Sequence, residues 1–209
     1  MAILIPVRFY GFDTAMYLAS AIIGFLISYY SFKLFRITKK KYHFYLYTGF
    51  AVLAMGFLIL SLTSGYVYLG YYTEHRYIGS DTSVYVDDFG YWIYYLSSFA
   101  AYALFALMYF TEDLGAPIIF FPPWYAGFPY FHITSFFLLS YVVFRNATNY
   151  AMKRNRNAFL VTLGFGLIAG YHLLLFLTSF SRFMYVLAHL SLLAGFLSLL
   201  TMLVRVTRK

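Results

Sequence analysis

The sequence predicts an all-α, polytopic membrane helix bundle of about seven transmembrane helices, with the N-terminus outside and the C-terminus cytoplasmic. Three features carry this. Of 209 residues, 63% are apolar and only 11% are charged; the apolar residues fall into runs of bilayer length; and the basic residues gather into three clusters beside those runs. A soluble domain of this size has one core, and so few charges cannot cover its outside with solvated side chains. The outside must therefore meet lipid. An aromatic content of 24% fits, because amphipathic rings collect where bilayer meets water.

A helix needs about 20 apolar residues to cross the hydrocarbon. Six runs satisfy this in order: 13–35, 44–69, 89–110, 131–150, 158–179 and 183–204. Residues 116–130 are also apolar, but Pro122, Pro123, Gly127 and Pro129 interrupt them. Charge decides how that segment is read. One basic cluster is Lys33, Arg36, Lys39, Lys40 and Lys41, another is Arg145, Lys153, Arg154 and Arg156, and the last is Arg205, Arg208 and Lys209. The positive-inside bias puts all three in the cytoplasm. An even number of crossings must then separate the first two clusters, so 116–130 crosses as a short fourth span broken by prolines. Glu112 and Asp113 fall on the cytoplasmic side without a basic neighbour, which matters little because acidic residues weigh little in orientation. The alternative is six spans with 116–130 re-entrant or interfacial, its backbone sheltered by protein or trapped water.

No repeat or linker divides the chain, so residues 1–209 read as a single transmembrane domain. The first residues lack a basic region followed by an apolar run and a cleavage site, so the first span reads as retained. The last span is followed by only a short basic tail, so any signal is expected to pass through a protein partner or a second copy. The basic residues are accounted for by topology, with anionic headgroups as their further possible contact, and no nucleic-acid partner is expected. The expected location is a prokaryotic plasma membrane. The loop 71–88 is read as external and solvated; its Glu74, Asp81, Asp87 and Asp88 would otherwise suit a cation or a basic partner. Asn146-Ala147-Thr148 matches a glycosylation acceptor but lies on the cytoplasmic side of this topology.

Several activities lose their chemistry. Without cysteine there is no disulfide, thiolate metal site or cysteine nucleophile. All seven acids fall in loops or at span ends, which argues against a relay through buried carboxylates. The last span has no lysine for a retinal Schiff base. Neither paired membrane aspartates nor a His-Glu-x-x-His helix is present for intramembrane proteolysis. Serines such as Ser97, Ser98, Ser135 and Ser191 more often let helices approach than act as nucleophiles. Packing is also the reading of Thr162, Gly166 and Gly170 on one span and of Ala188, Ser191, Gly195 and Ser198 on the next.

Two constellations remain. His132, His172 and His189 lie inside predicted spans, with His172 and His189 both roughly 10 Å inside the outer boundary at ~1.5 Å per residue. Imidazoles at matched depth on antiparallel helices can hold a metal ion or ligate a b-type haem; equally, each can be a separate hydrogen-bonded histidine. The second is the stretch around Trp124 and Tyr125, which would line a cavity for an apolar or aromatic ligand, with Tyr94, Tyr95, Tyr102 and Tyr171 as polar handles, or form an interfacial aromatic belt. The first functional reading is thus a non-catalytic membrane module, a small-molecule or cofactor-binding sensor or an accessory subunit of a membrane complex. The alternatives are a haem- or metal-binding redox protein using the histidines, an intramembrane lipid-modifying enzyme, and a transporter of an uncharged solute. Heptahelical sensors share the architecture, but architecture alone carries no function.

Overall fold

The computed structural model describes residues 10–74, 81–109 and 128–207, and within them the chain is all helical. Six α-helices appear there: α1 Tyr10–Thr38, α2 Lys41–Glu74, α3 Asp81–Leu107, α4 Phe128–Lys153, α5 Arg156–Phe176 and α6 Arg182–Thr207, with a short 3-10 turn, Leu177–Ser179, between the last two. Four of them, α1, α2, α5 and α6, are long and apolar enough to cross a membrane. α3 and α4 are of similar length, but acids occupy the first turns of α3, and Arg145 and Lys153 the second half of α4.

Each helix buries one side and presents bare hydrocarbon on the other. The outward stripes are Leu18, Ile22, Phe25 and Tyr29 on α1, Met55, Leu62, Tyr66 and Leu69 on α2, Phe137, Tyr141 and Phe144 on α4, and Leu190 and Leu197 on α6. Phe144 is 68% exposed and Leu62 65%. Contiguous apolar surface on this scale is untenable in water and is what lipid requires, which points to an integral membrane protein. The core is aromatic: Phe50, Phe57, Phe105, Phe165 and Phe196 meet ring against ring across α2, α3, α5 and α6.

Helix directions follow from who touches whom. Ser28 on α1 donates to the Tyr47 carbonyl and Ser61 on α2 to the Thr14 carbonyl, so α1 and α2 are antiparallel and clamped at both ends. The α5–α6 pair is built alike, with Ser191 donating to Leu167 and Ser198 to Leu160. Such hydroxyls are worth about 0.6 kcal/mol each in a membrane bundle. α1 and α6 are parallel neighbours: Asp13 meets Tyr185 near their starts, and Gly24 lies beside Phe196 further along. α3 and α4 are also parallel, since Tyr95 packs on Phe131 early in both and Tyr109, just beyond α3, donates to Asn146 late in α4. With α1, α3, α4 and α6 running one way and α2 and α5 the other, all the described basic clusters lie at one end of the bundle. Asp13, Asp87, Asp88 and Arg182 lie at the other.

The two tight turns at the basic end share a design. Lys39 and Arg154 adopt left-handed backbone (φ 55° and 45°), and each donates its N–H to the carbonyl four residues back. This is the usual left-handed helix terminator, here built on a cation rather than glycine. After the second turn, Asn155 caps α5 by accepting from the Ala158 N–H.

Several expectations are adjusted. Most of the stretch 71–88, expected as a loop, is helical, because α2 continues to Glu74 and α3 already begins at Asp81. α4 begins at Phe128 rather than at 131, with Pro129 in its first turn, where the missing N–H costs no helical bond. The rest of the proline-rich segment, Trp124 and Tyr125 included, lies outside the described residues. Gly166 does not pack against α6: a Cβ there would meet nothing within 4 Å. The close approach uses Gly164 instead, whose carbonyl lies 2.8 Å from where a Cβ on Gly195 would sit. Asn146 is buried, its side chain accepting from Tyr109 and donating to the Val142 carbonyl, so the glycosylation motif is closed to modification in this fold.

Candidate functional site: a buried histidine–tyrosine cluster

α3, α4 and α5 converge on a set of polar side chains in the half of the bundle away from the basic end. α5 supplies Tyr171 and His172, both fully buried. α4 supplies His132 one turn from its start, and α3 supplies Tyr94 and Tyr102, eight residues apart and so on one face. His132 Nδ1 lies 2.9 Å from His172 Nδ1, and the Tyr102 hydroxyl 2.7 Å from His172 Nε2. Beside this chain the Tyr94 and Tyr171 hydroxyls are 3.1 Å apart. Phe131 closes one side, its ring against Tyr94, Tyr95 and His172.

Both nitrogens of His172 are engaged, and this fixes what the chain can be. An N–H···N bond holds one proton between two neutral rings. In one arrangement His132 donates to His172, which donates through Nε2 to the Tyr102 oxygen. In the other, Tyr102 donates to Nε2 and His172 donates to His132. Both satisfy these groups without charge, so the cluster has two hydrogen-bond polarities of the same geometry.

Of the three histidines expected to act together, two meet. His189 stays apart: its ring packs on Phe12, Tyr17 and Tyr185, and the Tyr171 ring touches both it and His132. The expected handles Tyr94, Tyr102 and Tyr171 all belong to the cluster, and Tyr95 borders it. The pair does not fit a bis-histidine haem. Two imidazoles on opposite sides of an iron stand about 4 Å apart, at about 2 Å per bond, with a macrocycle between them; the 2.9 Å separation of the Nδ1 atoms leaves no such gap. Among the described residues no group of three or more histidines and carboxylates is placed to hold a metal ion.

Sequence reasoning missed a second polar contact. Asp13, expected at a span end, is 1% exposed and accepts a 2.6 Å hydrogen bond from the Tyr185 hydroxyl. The signal was present in the spacing: Asp13 and Tyr17 on α1, like Tyr185 and His189 on α6, are four residues apart and share a helix face. Ser97 and Ser191 donate to backbone carbonyls and so serve packing. Compared with known proteins, the chain matches no family model, no curated protein and no solved structure.

Proposed function

We propose that this chain is a non-catalytic membrane module that binds a small polar molecule at the cluster of Tyr94, Tyr102, His132, Tyr171 and His172. It acts as a sensor or as an accessory subunit of a membrane complex. The observation that carries the reading is the 2.9 Å contact between His132 and His172, both fully buried, on two different helices. Imidazoles and phenols inside a membrane bundle are costly, and intramembrane ionisable groups mark ligand or ion sites more often than they add stability. The site's position suits signalling. α4 packs extensively along α5 but only lightly against α3, so the chain Tyr102–His172–His132 is a principal polar tie between α3 and the α4–α5 pair. A ligand that replaces the His132–His172 bond changes how that pair sits on the rest, which is the differential contact that a two-state sensor requires. Readout then belongs to a protein partner or a second copy.

The same proposal takes the basic end as cytoplasmic, with seven crossings and the N-terminus outside. The parallel course of α3 and α4 supports this, because Tyr109 and Phe128 must be joined from one end of the bundle to the other.

Native mass spectrometry of protein released gently from membranes tests the binding reading, with an absorption spectrum and metal analysis on the same sample. A bound non-protein mass is expected in the wild type and should be missing from His172→Phe. A protein without any bound molecule counts against the reading, and a haem band lost in His172→Phe would replace it with the redox one.

A further inference from the structure

A second buried site lies where α1 meets α6, with the Tyr171 ring between it and the histidine pair. Asp13 and His189 are each 1% exposed. Tyr185 joins them: its hydroxyl donates to Asp13 Oδ1 at 2.6 Å, and its ring lies 4.6 Å from that of His189. Each residue keeps one buried polar atom without a hydrogen-bond partner, Oδ2 of Asp13 and Nε2 of His189.

With Asp13 ionised, both orphan atoms are acceptors. His189 Nδ1 sits 3.0 Å from the Tyr185 carbonyl oxygen, which can only accept, so Nδ1 carries the proton and Nε2 presents a lone pair. Asp13 Oδ2 is a carboxylate oxygen whose twin already receives the Tyr185 hydroxyl. What the site lacks is therefore a donor. A stranded buried acceptor costs about 1–3 kcal/mol, more when charged, and here two such residues are joined through one tyrosine, so a single donor-bearing molecule is the economical partner for both. The surroundings specify its charge. Among the described residues the rings of Phe12, Tyr17, Tyr171 and Tyr185 lie 4.6–5.9 Å from that of His189. A carboxylate among aromatic rings is the chemistry that recognises an organic cation. A bare metal ion is a poorer match, because no three-ligand group of histidines and carboxylates occurs among the described residues.

We infer that Asp13 and His189 form a binding site for a protonated amine, whose N–H groups donate to Asp13 Oδ2 and His189 Nε2 while its charge is met by the Asp13 carboxylate. The site lies at the end of the bundle away from the basic clusters, and it needs no ligand at the histidine pair.

Titration calorimetry and thermal melting of the detergent-purified full chain test the assignment with two probes of equal charge. Methylammonium has N–H donors and tetramethylammonium has none. Methylammonium should bind saturably and raise the melting temperature, and tetramethylammonium at the same concentration should bind at least tenfold more weakly. Asp13→Asn, which keeps the shape and removes the charge, should weaken methylammonium at least tenfold. Asp88→Asn, an equal charge change at an exposed position at the same end, should leave it within twofold. No saturable methylammonium binding, equal binding of the two cations, or wild-type affinity in Asp13→Asn would each overturn the site. The two-cation comparison on the wild type decides even if Asp13→Asn does not fold.

Discussion

Gly195→Leu is expected to melt far below the wild type in mild detergent, whereas Gly166→Leu, on the neighbouring helix, behaves as wild type. A Cβ at 195 would meet the Gly164 carbonyl oxygen at 2.8 Å, the Ile168 side chain at 3.1 Å and the Leu167 Cβ at 3.2 Å. The first of these is backbone and cannot rotate away. α5 and α6 must therefore separate, and the Ser191 and Ser198 hydroxyls that clamp them lose their carbonyls. Overpacking costs about 1–3 kcal/mol before any such bonds are lost, and those two add about 0.6 kcal/mol each. Against a net stability of about 5–15 kcal/mol that is a large fraction. At 166 the same side chain enters open space. Gel filtration and thermal melting of the two variants side by side decide the matter; equal behaviour would mean that the α5–α6 contact is not built on Gly164 and Gly195.

The second large effect belongs to His172→Phe, which should cost about 3 kcal/mol and abolish ligand binding. The ring is replaced at similar size, but the Tyr102 hydroxyl and His132 Nδ1 lose a buried partner, at about 1–3 kcal/mol each. Removing one of the two stranded groups as well should restore part of the loss, since replacing both partners of a buried polar pair by apolar groups is often nearly neutral. His132→Leu combined with His172→Phe is therefore expected to be more stable than His172→Phe alone and still unable to bind. Denaturation midpoints for the two single variants and the double variant measure the coupling. Additive costs would show that the two histidines do not interact.

The helices were legible in the sequence because lipid imposes a simple rule on composition: apolar runs of bilayer length become helices, and α1 to α6 fall on the six clear runs, whereas most of 116–130 lies outside the described residues. Their ends were less legible. Aspartates and tyrosines in 71–88 read as a solvated loop, yet a helix can extend past the apolar part of a span, and Glu74 and Asp81 bound helical ends instead. The histidine cluster was half legible. Counting residues gives depth, and depth brought His172 and His189 to one level, with His132 shallower on the same side. It does not give the rotation of each helix, so the pairing of His172 with His132 rather than His189 needed the tertiary packing of α4 on α5. The same ignorance of rotation selected Gly166 where Gly164 makes the contact, two residues and about 200° away. Asp13 was read by its position at a span end, whereas its burial depends on Tyr185, 172 residues distant in the chain.

The depth of the cluster, the side on which the Asp13 site lies and the number of crossings all rest on one arrangement in the membrane. The chain contains no cysteine, so single cysteines can be introduced without a background. Lys40→Cys, Arg154→Cys and Ser181→Cys, treated with a membrane-impermeant maleimide in intact and in permeabilised cells, report that arrangement directly. Positions 40 and 154 should label only after permeabilisation and position 181 in intact cells. Labelling of 40 and 154 from opposite sides would contradict the even number of crossings between them, and with it the seven-span bundle.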